Sequence, residues 1–543
     1  MKLEEATSWC AAVLCLLSSS VLLAQTPTHS VKDNGAIGDG RADDTAPLQS
    51  ALNLGGTIYL PPGTYLISKN LIIGSHTTLQ GPGTIEAIRP GIASILIEGH
   101  AENLTNVSHA IALGANTIPF ANSLKKRDLI EISSFPSDQS DSYTVPNGCT
   151  LNCPRYYSAY TARSQRSFRR KEINEVASAT PQSISLVHAT LSAYPANPGT
   201  VIKKMIPASS VSLRDLTLHN VNVQSTYATD LVIGNVTALA SSFVAASCYR
   251  CHINYANFDA QGTESRVDVY ESSRFIDVSG TYKNFNANAD NGIVKLNQAS
   301  DVNLNVSIGD TEVSGSGNPA LTHGVMIDTN YAENPAGFAD VPSHNLSGTV
   351  TSVGTAPSDL FITANPFVAP VRGVSITTKR GTRVYLKGVT DATINIEGLC
   401  SVLRLDGSQS ITINGGDIGY LFTQELTDPT APQSAKKLES ITFNNSTFTI
   451  TDQIPFFHSF EGLLLNNVTF DVSHQSRSAN AHVIPIANLN DVSNLVLKHL
   501  KVVQRSDQKG TQIWTSGPVS NVSATGQVPV PFSTNIPIAY TPQ

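Results

Sequence analysis

The sequence predicts an all-β fold in which short strands wind into stacked coils. Apolar and polar residues alternate over three to five residues in many segments, and an Asn or a Gly follows each segment. The segments recur about every 20–30 residues, a period typical of solenoids, whose coils bury their inward side chains only against neighbouring coils. The 543-residue chain has no linker rich in Pro, Gly or Ser, so we expect one elongated domain. The clearest alternating segments are 211–223, 230–237, 301–307, 392–396, 410–414, 438–445, 463–470 and 492–497.

A short helix is predicted near the start of the chain, before the first strands. Asp44 or Thr45 can cap its free N–H groups, and Pro47 suits a first helical turn. The pair Gly55-Gly56 favours its end, because glycine accepts a positive φ. Two short strands then follow, hinged at Pro61-Pro-Gly63. This region therefore predicts a helical cap followed by the first coils.

Residues 31–67 also carry a specific resemblance to a known superfamily. The matching residues are Val31-Lys-Asp33, Gly35-Ala36, Gly38-Asp-Gly40, Asp43-Asp-Thr45 and Gly55-Gly-Thr-Ile-Tyr-Leu-Pro-Pro-Gly-Thr-Tyr65. They closely resemble the N-terminal cap and first coils of pectate-lyase-like proteins of the rhamnogalacturonase and epimerase type. The resemblance implies a right-handed parallel β-helix and a secreted, carbohydrate-active protein. It includes no catalytic residue, so the reaction has to be argued from other residues.

Five segments are predicted along the chain. Residues 1–24 resemble a signal peptide, with Lys2 before an apolar run. Residues 25–117 form the cap and first coils, 118–204 an inserted β-subdomain that interrupts the repeat, 205–527 the main β-helix, and 528–543 a tail rich in Pro and Thr. The inserted part carries a basic run, interpreted as a solvated loop face, although it could meet an anionic sugar. The run consists of Arg163, Arg166, Arg169, Arg170 and Lys171.

Composition limits the location and the partners. The net charge of −7 argues against a nucleic-acid partner. No segment after the signal has the ~20 apolar residues of a membrane span. We therefore expect a secreted, periplasmic or extracellular protein with a polysaccharide as its partner. The sequence has no signal for an oligomeric state, although some superfamily members, the tailspikes, form trimers.

Five cysteines remain after the predicted signal is removed. In an oxidising compartment the close pairs Cys149 with Cys153 and Cys248 with Cys251 fit local disulfides, which leaves Cys400 buried and unpaired. A zinc site from the four paired cysteines is the alternative, but a long span separates the pairs and no histidine pattern accompanies them. We predict no metal and no cofactor.

The candidate site lies between residues 268 and 387, where charged residues concentrate. Polygalacturonase-like hydrolases carry Asn-x-Asp, Asp-Asp, Gly-His-Gly and Arg-x-Lys in this order, and four segments resemble them with one Asp in place of two, Thr for the first Gly and a longer basic element. The resemblance implies Asp310 as general acid and Asp290 as the base of an inverting hydrolase. It also implies that His323 tunes the acid and that Arg383 or Lys387 holds a uronate carboxylate. The segments are Asn288-Ala-Asp290, Gly309-Asp310, Thr322-His-Gly324 and Arg383-Val-Tyr-Leu-Lys387.

Three alternatives stay open at this stage. Asp328, at the end of a short apolar strand, competes for the catalytic role. A lyase acting by β-elimination would need a base and cations near a uronate, which Lys295, Tyr282, Arg380 and Arg383 can supply. A third hypothesis is a non-catalytic β-helix that binds glycans or serves as a surface scaffold.

Overall fold

The protein, described here from a computed structural model, is a right-handed parallel β-helix with a helical cap and a small inserted β-subdomain, as predicted. No helix among the residues it covers is both long and apolar enough to cross a membrane. The structure describes residues 28–134, 170–194, 196, 200–287, 291–309, 311–313, 322–328, 343–354, 359–364, 371–427, 435–451, 453–475, 484–508, 510–526, 529–534 and 536–541.

The cap consists of a 3₁₀ helix at Val31–Asn34 and helix α1 at Thr45–Leu52. The predicted capping differs in detail, since the Asp44 side chain makes no cap hydrogen bond to α1. Its buried carboxylate accepts instead from the N–H groups of Ile37 and Gly38, at 2.6 and 2.9 Å, and so ties down the preceding loop. The first strands are β1 Thr28–Ser30, β2 Asp39–Asp43, β3 Gly56–Tyr59, β4 Thr64–Ile67, β5 Leu71–Ile72, β6 Thr77–Gln80, β7 Thr84–Ala87 and β8 Ser94–Glu98.

An antiparallel six-stranded sheet interrupts the coils, in the order β10-β13-β12-β11-β14-β9. It has a small core of its own, which includes Ile130, Ile132 and Val176. The strands are β9 His100–Asn106, β10 Thr117–Pro119, β11 Leu129–Ser134, β12 Arg170–Thr180, β13 Ser183–Leu186 and β14 Thr200–Ile206.

Buried ion pairs join this inserted sheet to the β-helix. Glu131 of β11 is fully buried and accepts from Lys203 of β14 at 3.0 Å and from the Tyr227 hydroxyl of the β-helix at 3.1 Å. Lys171 of β12, whose side chain is 2% exposed, pairs with Glu271 of the β-helix at 3.2 Å. Lys171 therefore ends the basic run in a buried ion pair, and the prediction of a solvated face is wrong at this residue.

The middle coils alternate between two long parallel sheets. Each strand turns its apolar side chains inward, and adjacent coils pair in register. Their strands are β15 Ala208–Ser209, β16 Ser212–Arg214, β17 Thr217–His219, β18 Asn222–Thr226, β19 Ala228–Thr229, β20 Val232–Leu239, β21 Phe243–Ala246, β22 Tyr249–Asp259, β23 Val267–Tyr270, β24 Arg274–Lys283, β25 Phe285–Ala287, β26 Asn291–Leu296, β27 Ser300–Ile308, β28 Thr311–Val313, β29 Thr322–Asp328, β30 His344–Ser352 and β31 Asp359–Thr363.

The C-terminal coils continue the same arrangement and share one core with the cap. Their strands are β32 Val371–Lys379, β33 Arg383–Lys387, β34 Val389–Cys400, β35 Leu403–Asp406, β36 Gln409–Ile418, β37 Leu421–Gln424, β38 Leu426–Thr427, β39 Ala435–Lys436, β40 Leu438–Asn444, β41 Thr447–Thr449, β42 Phe456–Asn466, β43 Thr469–Asp471, β44 Ile484–Lys498, β45 Lys501–Val503, β46 Thr511–Thr515, β47 Val519–Ser520, β48 Val522–Thr525 and β49 Ile538–Thr541.

The two parallel sheets define the two faces used below. Sheet one has 28 strands and includes β1, β16, β20, β27, β36, β42 and β46. Sheet two has 11 strands, in the order β37-β35-β33-β31-β29-β26-β23-β21-β18-β8-β5.

A ladder of asparagine side chains runs along sheet one. Each amide donates to the carbonyl oxygen of the asparagine one coil before it, from Asn466 to Asn444, Asn414 and finally Asn395, at 2.9–3.1 Å. Asn444 also begins an N-x-S/T sequence, the pattern at which asparagine can be glycosylated. Its side-chain amide is already hydrogen-bonded within the ladder. The ladder explains physically why the coils favour Asn at the same place.

We expect Asn414→Ala to lower stability by about 1–2 kcal/mol, because it removes one donor and one acceptor from the middle of the ladder. Thermal unfolding followed by circular dichroism measures the loss. Asn305→Ala, on an exposed outward position of β27, is the control and should change the melting temperature little. Equal losses in the two variants would show that the ladder contributes nothing specific.

Candidate functional site

Sheet two presents its outward side chains in columns, because its strands are parallel and in register. In the middle column each coil contributes one outward residue, which pairs in register with the outward residue of the following coil. The residues before and after it in the same strand point into the core. We call the outward surface formed by Asp268, Lys295, Phe361, Tyr385 and Arg404 the central face. The full column is Gln224, Val244, Asp268, Lys295, Met326, Phe361, Tyr385, Arg404 and Phe422.

Aromatic rings occupy the centre of this face. The rings of Phe361 and Tyr385 lie on adjacent coils with centroids 6.0 Å apart. His323 is buried and stacks on Phe361, with centroids 4.3 Å apart and planes 13° from parallel. The stack fixes the Phe361 ring from behind, and Phe361 and Tyr385 remain half-buried at the surface. Partly exposed, rigid rings of this kind can pack against the apolar face of a sugar.

A cation lies next to the rings. Arg404 donates from Nε to Oδ2 of Asp406 at 2.8 Å, and its guanidinium lies 4.7 Å above the centroid of Phe422. The Arg404 side chain remains 41% exposed. Because only its Nε is used by Asp406, the rest of the planar guanidinium can bind a carboxylate through two parallel hydrogen bonds.

Asp406 lies beneath this cation. Burial raises the pKa of its carboxyl, although Arg404 and Lys387 act in the opposite direction. Oδ1 of Asp406 is buried and has no hydrogen-bond partner among the described residues. Lys387 pairs in register with Asp406 on the next coil. Asp406 is therefore a positioning residue that fixes the Arg404 guanidinium from below.

Several residues predicted from the sequence meet on sheet two. Lys295 on β26, His323 on β29, and Arg383 and Lys387 on β33 lie on three coils of one sheet. Lys295 and His323 are buried, whereas Arg383 and Lys387 are partly exposed. Asp328 is the last residue of β29 and pairs in register with Thr363. These residues, which the concentration of charge singled out, therefore lie on one sheet, and their roles stay predictions.

Other predicted residues do not join this surface. Arg380 is exposed in the turn before β33, with a positive φ of 59°. Asp290 and Asp310 lie outside the described residues, so the acid and base assigned to them stay predictions. Tyr282, considered as a lyase base, is fully buried, and its hydroxyl donates to the Ser279 carbonyl at 2.9 Å. Burial also raises the pKa of the Tyr282 hydroxyl well above its ordinary value, so this part of the lyase hypothesis is wrong.

The cysteine prediction needs a correction at its second pair. Cys248 and Cys251 are fully buried free thiols rather than a disulfide. Their side chains hydrogen-bond each other, and this bond is the main cause that lowers the pKa of Cys248. Cys400 is buried, and its thiol donates to the Val402 carbonyl. Cys149 and Cys153 lie outside the described residues. In the described part of the chain no group of three or more His, Cys, Asp or Glu residues could hold a metal ion.

Sequence reasoning missed Phe361, Tyr385, Arg404 and Asp406. The signal was present in the coil repeat. Arg383-Val-Tyr-Leu-Lys387 and Leu403-Arg-Leu-Asp406 each alternate outward polar and inward apolar residues. When the two segments are aligned as neighbouring coils, Tyr385 lies beside Arg404 and Lys387 beside Asp406. This register brings the four side chains together on the surface of sheet two.

Comparison with known proteins confirms the superfamily resemblance of the N-terminal region. Residues 28–126 match the family described as "Rhamnogalacturonase A/epimerase, pectate lyase-like". Mannuronan C5-epimerase AlgE1 of Azotobacter vinelandii is 35% identical over 104 residues, which cover 17% of this chain and 7% of that protein. Alginate lyase 7 of the same organism is 37% identical over 91 residues, 14% of this chain and 10% of that protein. The chain thus matches only a small part of these relatives, and the residues matched by the family model lie outside the central face.

Structural alignments with two phage tailspikes cover most of this chain. The tailspike gp61 of Pseudomonas phage phi297 is 14% identical with a TM-score of 0.44, covering 92% of this chain and 79% of that one. The gp54 tailspike of Acinetobacter baumannii bacteriophage AP22, solved with a capsular saccharide, is 10% identical with a TM-score of 0.42, covering 95% of this chain and 76% of that one. At these scores the reaction has to be argued from this chain's own residues.

Proposed function

We propose that this protein is an exported enzyme that binds a uronate-containing polysaccharide along the central face and cleaves it by glycoside hydrolysis. The observation that carries the proposal is the column in which Phe361 and Tyr385 are followed by the cation Arg404. The rings suit sugar faces, and the guanidinium suits the carboxylate of a uronate. The nearby basic side chains of Arg383 and Lys387 add positive potential for an anionic chain.

Hydrolysis requires a protonated carboxyl and a carboxylate on opposite sides of the scissile bond. Asp310 and Asp290 remain our candidates for these two roles, with Asp328 as the competing carboxylate. The two carboxyls on and beneath the central face are already paired with arginines of their own strands, Asp268 with Arg266 at 3.4 Å and Asp406 with Arg404 at 2.8 Å, so neither is our candidate for this pair. The central face supplies binding and orientation of the substrate, which by itself lowers the barrier to reaction.

A lyase is the second candidate, because the cation Arg404 lies next to Tyr385, where a uronate carboxylate would have to be neutralised for β-elimination. The buried Lys295 lies in the same column two coils before Phe361. The N-terminal similarity to an alginate lyase is in line with this alternative. The product distinguishes the two reactions, since elimination leaves an unsaturated uronate and hydrolysis does not.

The test incubates the protein with plant and bacterial polysaccharides while reducing ends and the absorbance of unsaturated uronates are followed together. We expect reducing ends without unsaturation. Asp290→Asn and Asp310→Asn should each abolish them. Tyr385→Ala should weaken substrate binding by about 2-fold to 10-fold through loss of ring stacking. Tyr59→Ala, an exposed ring on sheet one, is the matched control and should behave as the wild type.

Four outcomes would contradict the proposal. Unsaturated products would assign the chemistry to a lyase. Glycan binding without any cleavage would favour the non-catalytic scaffold. Full activity in both aspartate variants would remove Asp290 and Asp310 from the mechanism, and unchanged binding by Tyr385→Ala would remove the central face.

A further inference from the structure

The aromatic column does not end at Arg404 but continues onto the C-terminal coils. Phe422 of β37 follows Arg404 in register. The Thr423 hydroxyl then joins β37 to β42, since it donates to the Phe456 carbonyl at 2.7 Å and accepts from the His458 N–H at 2.8 Å. Phe456 pairs in register with Asn488 of β44, and Asn488 with Trp514 of β46. We call the outward surface of Phe422, Phe456, Asn488 and Trp514 the distal track.

The side chains of the distal track point outward. Phe456 is followed by the buried core residue Phe457, and Trp514 is preceded by the buried core residue Ile513. Trp514 is 40% exposed, a large fraction for so large an apolar ring. With coils about 4.8 Å apart, Phe456 and Trp514 lie about 10 Å from each other, with Asn488 between them.

Polar groups beside these rings lack protein partners. Oδ1 of Asn488 and Nδ1 of His458 are both buried without a hydrogen bond from the described residues. The His458 ring stacks parallel to Phe456, with centroids 5.5 Å apart and planes within 4°. The Asn488 and His458 side chains are themselves only half-buried. A small rotation would turn these unpaired atoms toward the hydroxyl groups of a bound ligand and remove the cost of leaving them without a partner.

We propose that the distal track is a second glycan-binding site, which holds pyranose rings on Phe456 and Trp514 while their hydroxyl groups bond to Asn488 and His458. The occupant is an extension of the polysaccharide bound at the central face, so the proposal rests on the proposed function. Two observations support this choice of ligand. The Thr423 hydrogen bonds place the track directly beside the last strand of the central column, and the track alternates aromatic rings with an amide, the combination that a sugar ring with apolar faces and a hydroxyl edge requires.

Trp514 provides a direct measurement, because the chain contains only one other tryptophan, Trp9 in the predicted signal peptide. We expect a galacturonate hexasaccharide and cellohexaose to shift the tryptophan emission of the full chain, and we expect the shift to disappear in Trp514→Phe. In calorimetry Trp514→Ala and Phe456→Ala should each weaken hexasaccharide binding by about 2-fold to 10-fold. Monosaccharides should bind less well, because they reach only one ring.

The controls separate this proposal from the proposed function. Val503→Ala, an exposed apolar residue of β45 on the same C-terminal coils, should leave emission and affinity unchanged. Binding that is weakened by Tyr385→Ala but unaffected by Trp514→Ala and Phe456→Ala overturns the distal track and leaves the central face intact. An emission shift that persists in an inactive protein supports the track, whatever becomes of the cleavage proposal. No emission shift and no calorimetric change in the two variants would overturn the track.

Discussion

Lys171→Met is expected to destabilise the docking of the inserted sheet by about 3–5 kcal/mol, the cost of removing one partner of a buried ion pair. Lys171 pairs with Glu271 at 3.2 Å and also acts electrostatically on the fully buried Glu131. After the substitution Glu131 would retain Lys203 and the Tyr227 hydroxyl, which together neutralise it less well. Hydrogen exchange of β11 and β12, together with thermal unfolding, measures the loss.

Lys204→Met is the matched control for Lys171→Met. Lys204 lies on the neighbouring strand β14 and pairs with Asp128 at 2.9 Å, but its side chain is 34% exposed. Exposed pairs contribute at most about 1 kcal/mol, so the control should remain close to the wild type. If both variants lose the same stability, the buried network does not hold the inserted sheet in place.

The same network predicts how docking responds to acid. Burial alone would favour neutral Glu131, but Lys171, Lys203 and the Tyr227 hydroxyl outweigh it and hold the pKa of Glu131 below its ordinary value. A carboxyl with a lowered pKa stabilises the folded state above its unfolded pKa, and this contribution disappears as the pH falls through the lower, folded value. We therefore expect the exchange protection of β11 to fall below about pH 4, and to fall less in Lys171→Met, which has already lost one of the two cations that act on Glu131.

The fold was predictable because its cause is local and repeated. Inner residues such as Ile394, Ile413 and Phe443 are spaced by one coil, pair in register and are fully buried. The alternation of apolar and polar residues within strands therefore predicted the coils, and the glycine-rich residues 35–63 predicted the cap. The docking of the inserted sheet was not predictable in the same way, because the Lys171 and Glu271 pair joins residues a hundred positions apart.

The candidate site was predictable only in part, for a related reason. Charge density pointed to sheet two through Lys295, Arg383 and Lys387. Arg404 and Asp406 look in sequence like ordinary outward residues of a strand, and their role depends on which coil lies next to them. The thiols of Cys248 and Cys251 show the opposite error, since closeness in sequence suggested a disulfide where the structure has two hydrogen-bonded side chains.

Arg404→Ala should weaken binding of a uronate oligosaccharide by about 10-fold to 150-fold, while binding of a neutral oligosaccharide should change little. The range corresponds to about 1.5–3 kcal/mol for hydrogen bonds to a charged group. Arg404 is suited to this role because Asp406 and Phe422 hold its guanidinium in one orientation and thereby reduce the entropy lost on binding. Calorimetry with galacturonate and glucose hexasaccharides measures both affinities.

Two further variants make the Arg404 prediction specific. Arg404→Lys keeps the charge but loses the planar pair of donors, so it should recover only part of the affinity for the uronate. Arg214→Ala removes an exposed arginine from sheet one and should not change either affinity. Equal losses for uronate and neutral ligands in Arg404→Ala would mean that the residue supports the face by packing on Phe422. In that case the carboxylate would have to be recognised elsewhere, and Arg383 and Lys387, on the adjacent coil, would be the next residues to replace.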